Sequence, residues 1–461
     1  MQFNLLVLYE FALLIQKFIL VTKKMVRSFE TPSILSSAQK DMTGESLNSH
    51  LSLWGDGMSE KGSREQIRQQ NRDYILSTLR KEKLIARIEL GQITGLSPAT
   101  VTSITADLLE LGLIVEHHEI ANKEPKGRGR PRCMLGLQPN VACIVSVKLS
   151  VDHIQFLLCN FAGQITQQKI VNFSSRKATR EHFTQLLIEE LQDFLDENPI
   201  EAKHLAEIGL AVQGVVDTQK GTIVWSPALT DRDIDIVRTI KTHFGVNCLL
   251  SNDTNMIAEA LYRANPNKYG ENFVVIYMDQ GVGAGFIIDG QLYTGQTGAA
   301  AEFGHSLHIP DGALCSCGRR GCLEAYMGDY AIIRQYNDMP VDSAPQQVGV
   351  EWKDIEEIIQ AARAGNEKAK QVFSNLGKTL GIGITRLIAL LDIKKIYLTG
   401  RTTSAYDLMQ DSLVNSLDES LVSSLDNELS IEVLQGDESL IERGIVAKAM
   451  QRLDKKLLAK R

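Results

Sequence analysis

Three cysteines spaced as Cys315-Ser-Cys317-Gly-Arg-Arg-Gly321-Cys322, with His305 upstream, constrain this chain more than any other feature. C-x-C-x4-C with glycines at both internal turns and a nearby histidine makes a Cys3His set. Such a set closes a tetrahedral structural zinc site and leaves no open position for chemistry. Gly318 and Gly321 supply the backbone freedom that a loop needs to fold back on one ion. The alternative is three reduced thiols beside an unrelated histidine.

The remaining cysteines, Cys133, Cys143, Cys159 and Cys248, are scattered singly among apolar neighbours. That usage fits a reducing cytoplasm and not a disulfide framework. The 461 residues, 44% of them hydrophobic, suffice for two or three domains of ordinary size. Charge is unevenly spread: residues 61–132 hold 13 Lys and Arg against 9 Asp and Glu, in a chain of net charge −7. A basic module on an acidic body implies that only the module meets a polyanion. Met1 to Val21 is apolar, but Glu10, Gln16 and Lys17 interrupt it, no basic residue precedes it and no small-residue cleavage site follows. The expectation for residues 1–62 is therefore a disordered or mis-assigned extension, with a membrane anchor as the alternative.

Residues 63–138 read as a winged helix-turn-helix. A first helix over Glu65 to Lys81 carries Ile75 and Leu79, and a second over Arg87 to Thr94 carries Ile88 and Ile93. Gly95 then turns the chain, and Ser97-Pro98 opens a third helix as N-cap and first helical residue. Val101, Ile104, Leu108 and Leu111 form its buried stripe. Its other face offers Ser97, Ala99, Thr100, Thr102 and Ser103, short groups that can approach base edges and phosphates in a major groove of double-stranded DNA. Gly112 to Glu116 reads as the first strand of a wing. Arg128, Arg130 and Arg132 on the returning Gly/Pro-rich segment suit a minor groove and its flanking phosphates. An ordinary solvated helix face and a solvated linker are the alternatives.

From Val275 to Glu324 the chain reads as a buried strand, the turn Gly281-Val-Gly283-Ala-Gly285, a second strand, the loop Glu302-Phe-Gly304-His305, the cysteine cluster and a helix opening at Leu323-Glu324. That order resembles the signature region of the ROK family of repressors and sugar kinases, over about residues 140–455. The resemblance implies an α/β, actin-like or RNase H-like two-lobed domain over 139–461, with a ligand cleft between lobes. Strands at Val141–Val147, Ile154–Cys159, Ile208–Val212 and Cys248–Ser251, a second set from Phe273, and a crossing helix at Ala369–Leu391 fit that plan.

A family kinase carries an acidic, glycine-rich turn after its first strand to hold Mg²⁺ and phosphates. This chain has Val147-Lys148-Leu149-Ser150-Val151-Asp152 there, and only one glycine in Leu398-Thr-Gly400-Arg401. The expectation is a protein that is not an enzyme. The resemblance assigns Asn252, Asp253, Glu302 and Glu324 to sugar hydroxyls; the kinases use the carboxylate matching Asp253 as general base. Read alone, Asp253 suits a helix N-cap. Ala228 replaces an asparagine whose amide contacts sugar in the kinases, which opens the ligand to a different sugar or a sugar phosphate. The expected function is a sugar-responsive repressor, a homodimer or homotetramer on its operator, with zinc pinning the Glu302 loop to the Glu324 helix. A regulator controlled by a protein partner, an activator and an active sugar kinase are the rivals.

Overall fold

The computed structural model describes residues 59–118, 133–172, 178–420, 429–434 and 439–458. The chain divides into two units between Gln70 and Asn71. Helix α1 (Ser59–Glu82) begins in the first, and everything else described lies in the second. α1 buries Ile75, Leu76 and Leu79. Strand β1 (Leu84–Ala86), α2 (Arg87–Thr94) and α3 (Pro98–Glu110) follow, and β2 (Ile114–His118) and β3 (Cys133–Leu137) complete an antiparallel sheet in the order β1-β3-β2. Gly95, at a φ of 68°, ends α2, and Ser97 caps α3 by accepting from the Thr100 amide at 3.2 Å.

The second helix departs from expectation. Ile88 and Ile93 are exposed, at 77% and 48%, and Leu90 and Thr94 are buried. Residues five apart stand on opposite sides of a two-turn helix, whereas Leu90 and Thr94, four apart, share the face turned inward. In α3 the buried residues are Val101, Ile104, Thr105 and Leu108, and Leu111 is half-buried at the cap. Arg72 pairs with Asp107 at 3.1 Å and Arg87 with Glu116 at 2.8 Å, tying α1 to α3 and α2 to β2.

The body contains two α/β halves built on one plan, as the actin-like class requires. In the first half, β4 (Cys143–Leu149), β5 (His153–Asn160) and β6 (Ile165–Asn172) form an antiparallel meander. After α4 (Arg180–Asp196), β7 (Leu205–Val212) pairs parallel with β4. β8 (Val215–Asp217), β9 (Thr222–Trp225) and β10 (Ile234–Asp235) form a small separate sheet. α5 (Ile236–Phe244) leads to β11 (Asn247–Asn252), parallel to β7, and α6 (Asp253–Ala264) follows directly.

The second half repeats this order. β12 (Phe273–Met278), β13 (Val282–Ile288) and β14 (Gln291–Tyr293) form a meander. The short α7 (Glu324–Met327), α8 (Asp329–Tyr336), α9 (Trp352–Arg363) and the long α10 (Glu367–Leu391) lead to β15 (Lys395–Thr399), parallel to β12. α11 (Tyr406–Ser420) and β16 (Ser430–Val433), parallel to β15, complete the half. The sheet orders are β6-β5-β4-β7-β11 and β14-β13-β12-β15-β16. β4 and β12 are central and covered on both faces, which explains their near-continuous apolar runs.

The last helix, α12 (Leu440–Leu458), does not stay within one half. Its Ile445 lies against Gly209 of β7, and Lys448 pairs with Glu259 of α6 at 3.4 Å. Met450 and Leu453 join a core that also holds Leu79, Ile85, Leu113 and Leu135 of the helix-turn-helix region and Ile144, Leu157 and Phe161 of the body. Over that core Arg80 makes a two-pronged bond to Asp454, 2.6 Å on each side, and lies 5.0 Å from the Phe161 ring. Among the described residues no helix is long and apolar enough to cross a membrane.

Candidate functional site

The Cys3His set converges. His305 ends a 3-10 turn over Phe303–His305, and bridges at Leu307–Cys322 and Leu314–Arg320 fold the loop back on itself. One donor atom from each of His305, Cys315, Cys317 and Cys322 lies within 4.8 Å of all the others. Cys315 Sγ is 3.5 Å from His305 Nδ1, and the Cys317 and Cys322 sulfurs are 3.8 Å apart. Four ligands about 2.3 Å from one ion stand about 3.8 Å from each other at the corners of a tetrahedron, so the spacing fits a bound metal. Hydrogen bonding from Cys315, with help from His305, pulls the Cys317 thiol well below its ordinary range. Gly318 and Gly321 take φ values of 83° and 74°, as the loop requires.

The cluster joins the two acids expected on either side of it. Leu323 N–H donates to Ser306 C=O at 2.9 Å, which sets the entry to α7. Glu324 is buried and held on both oxygens: Oε2 accepts from the Val282 amide at 3.2 Å, and Oε1 from Ser316 and from Tyr330 at 3.2 Å. The Glu302 carboxyl makes no hydrogen bond to a described residue. Burial pushes its pKa up to about 7, with Asp253 and Glu324 adding to the rise and His305 opposing it.

Asn252 and Asp253 exchange the roles that the isolated sequence suggests. Asn252 is the N-cap of α6, accepting from the Asn255 amide at 3.1 Å, and its Nδ2 donates to Gly214 C=O at 2.8 Å. Asp253 is thereby released from capping. Its Oδ1 accepts from Thr254 N at 2.7 Å, and burial raises its pKa to about 6 against the pull of Thr254 and Lys148. Asn252, Asp253, Glu302 and Glu324 all line one cleft of about 170 Å³, beside Trp225 and Tyr277. The Trp225 ring meets His305 edge-on at 5.4 Å. Ala228 is fully buried and does not line the cleft.

The two positions at which the sequence departs from the family's kinases are tied to other parts of the fold. Lys148, at the end of β4, donates to Glu442 of α12 at 3.0 Å. Arg401 forms a fork with Asp279, at 2.9 and 2.5 Å, and lies 4.9 Å from the Trp352 ring. Gly283 and Gly285 serve packing: a Cβ on either would strike Thr254 of α6. Sequence reasoning missed Asp329, which lines the same cleft at 1% exposure. Its Oδ1 accepts from Thr402 at 2.9 Å, and burial, with Asp279 adding, raises its pKa to about 7. A buried acid opening a helix just after Glu324 was the available signal.

In the helix-turn-helix region Ser97, Ala99, Thr102 and Ser103 are exposed and Thr100 half-buried, at one end of α3. Ser97 and Thr100 hydroxyls lie 2.8 Å apart, and Thr102 donates back to Pro98 C=O at 2.7 Å, so Ser103 keeps the freest hydroxyl. Arg128, Arg130 and Arg132 lie outside the described residues.

The chain is similar to known proteins. The chain is 25% identical over 393 residues to the xylose repressor of Caldicellulosiruptor bescii, covering 84% of this chain and 96% of that protein. It is 25% identical over 349 residues to the N-acetylglucosamine repressor of Escherichia coli O157:H7, covering 76% and 84%. A solved ROK family transcriptional regulator, a homolog of the Escherichia coli MLC protein, superposes with a TM-score of 0.68 at 24% identity, over 86% of this chain and 98% of that one. The ROK family glucokinase of Streptomyces griseus, solved with glucose and AMPPNP, gives 0.52 at 22% identity, over 67% and 100%. The ROK family pattern matches residues 144–442, and this chain belongs to the ROK family.

Proposed function

We propose that this chain is a sugar-responsive, DNA-binding transcriptional regulator, a repressor of genes for carbohydrate uptake or catabolism. One observation carries the reading: Asp253, Glu302 and Glu324 line one cleft, while Lys148, where a family kinase has an acidic residue, is paired with Glu442. The names of the repressor relatives support it. A kinase needs an acidic group on Mg²⁺ at that position, and a lysine repels the ion. A coupled ADP-release assay across a hexose panel is expected to stay at background.

Asp253 and Glu302 accept hydrogen bonds from sugar hydroxyls, Asn252 offers its remaining amide hydrogen, and Glu324 holds the glycine turn at Val282. His305, Cys315, Cys317 and Cys322 would hold one structural zinc ion, which fixes the Glu302 turn against α7. Ser97, Thr100, Thr102 and Ser103 face the major groove, and Arg128, Arg130 and Arg132 the adjacent backbone. The protein works in the cytoplasm as a homodimer or homotetramer, because operator half-sites mirror a two-fold axis. Sugar must prefer one arrangement of the helix-turn-helix: moving its occupancy from 1:99 to 99:1 takes about 5.5 kcal/mol of differential binding.

The test is fluorescence anisotropy on DNA flanking the gene, with excess competitor DNA and then a panel of sugars and sugar phosphates. Specific binding released by one of them is the expected result. Specific binding indifferent to all of them refutes sugar control.

A further inference from the structure

A second cavity, of about 350 Å³, shares no lining residue with the cleft. Its volume falls within the roughly 300–1,000 Å³ usual for small-molecule sites. β11, the edge strand of its sheet, forms one wall through Cys248, Leu249 and Leu250. Three cations complete it: Lys220, in the turn between β8 and β9, and Lys448 and Arg452, four residues apart on α12. Among the described residues that line it, none is Asp or Glu. A concave site lined by one sign of charge concentrates ions of the other.

Each cation has an acid behind it, but the acids do not use them up. Lys220 has a side chain 78% exposed, so its pairing with Asp217 at 3.1 Å is of the solvated kind that holds weakly. Lys448 stands 3.4 Å from Oε2 of Glu259, whose other oxygen is taken by Arg263 at 2.5 Å. Arg452 Nε is 2.9 Å from Glu207 Oε1, yet that buried oxygen accepts no hydrogen bond. The guanidinium, with five donors in a fixed fork, is thus paired there by charge alone. Burial raises the Glu207 pKa, and Lys456 joins Arg452 in opposing the rise. Lys220, Lys448, Arg452, Arg263 and Lys456 therefore face only Asp217, Glu259 and Glu207, five cations against three acids. A phosphate monoester brings roughly −1.5 to −2 charges at neutral pH and three acceptor oxygens, which matches both the surplus and the unspent donors.

We propose that this cavity is a second ligand site, for a small organic phosphate held by Lys448 and Arg452 on α12 with Lys220 in the facing turn. The site does not depend on what fills the cleft. Asp454, two residues beyond Arg452, is the partner of Arg80, so the ligand grips the helix that clamps the helix-turn-helix region. The concave wall favours a small molecule over the backbone of a DNA duplex, which is itself convex.

The experiment is calorimetry on the full chain with glycerol 3-phosphate and inorganic phosphate, against glycerol, at matched ionic strength. It is repeated on Lys448→Gln, which leaves Glu259 with Arg263, on Arg452→Lys, which keeps a charge beside Glu207 but removes the fork, and on Glu302→Gln in the cleft. The expected result is glycerol 3-phosphate binding with a Kd of about 1 mM or tighter, with glycerol silent. Lys448→Gln should weaken it by about 10-fold, the equivalent of one charge-assisted hydrogen bond, Arg452→Lys should weaken it as well, and Glu302→Gln should leave it unchanged. Undiminished affinity in both Lys448→Gln and Arg452→Lys overturns the site. Binding lost in Glu302→Gln but kept in Lys448→Gln puts the phosphate in the cleft and overturns it too. Silence toward both phosphates also overturns it; a lower slope of log DNA affinity against log salt in Lys448→Gln would then assign these cations to the DNA backbone.

Discussion

Replacing Arg80 by Ala removes the clamp between the helix-turn-helix region and α12, and its cost follows from burial. The Asp454 side chain is 3% exposed and Arg80 16%, and both guanidinium prongs sit 2.6 Å from the carboxylate. Without Arg80 the Asp454 charge stays buried with its principal partner gone. Breaking such a pair from one side costs about 3–5 kcal/mol, against about 0–1 kcal/mol for an exposed pair. The loss of Arg80 contacts with Phe161 C=O and its ring falls within that range. Arg80→Met combined with Asp454→Leu removes both charges and is expected to recover stability to within about 1 kcal/mol of wild type. Urea is the suitable denaturant because guanidinium would screen the pair. The cycle of Arg80→Met, Asp454→Leu and the double variant should show a coupling of at least about 2 kcal/mol. Single variants each costing under about 1 kcal/mol, with no coupling, would refute the reasoning and show that the pair behaves as a solvated one.

Cys317→Ser is expected to take zinc from about one ion per chain to near zero by elemental analysis and to lower the melting temperature; stoichiometric zinc in the variant would dismiss the ligand set. Asp329→Asn tests the buried acid by pH. Its pKa is raised from 3.8 to about 7, so the folded chain binds the extra proton between those values and this group's contribution to stability is lost as pH rises through 7. Relative to wild type, Asp329→Asn should therefore gain stability from pH 5 to pH 8, by about 3 kcal/mol at most, and a difference that stays flat in thermal melts would contradict it. Arg128→Ala with Arg130→Ala should weaken binding to all DNA sequences and reduce the slope of log affinity against log salt by up to about 2; an unchanged slope means that this segment does not touch the backbone.

What could be read from the sequence was local. Ser97-Pro98 specifies a cap within four residues, Phe273–Met278 announces a central strand by its apolar run, and the cysteines bracket their own loop. The strands expected from Val141, Ile154, Ile208, Cys248 and Phe273 all form, with ends shifted by a few residues. What was hidden depends on partners far along the chain. Lys148 reads as a lost acidic residue until Glu442, 294 residues away, is seen to hold it. Arg401 likewise reads as a missing glycine, but its fork to Asp279 fills the space. In α2 the apolar pair Ile88 and Ile93 misled because hydrophobicity alone does not say which face turns inward.

The sequence distance between α12 and the helix-turn-helix region has a consequence for how the protein is made. This helix covers β7 through Ile445, packs on α6 and completes the core under the helix-turn-helix region. Residues 71–118 leave the ribosome hundreds of residues before the surface they dock on is finished, so a nascent chain cannot seat the helix-turn-helix region until α12 has emerged. A message cut short before Leu440 yields a helix-turn-helix region without its clamp, and loss of a single late helix uncouples it from the body.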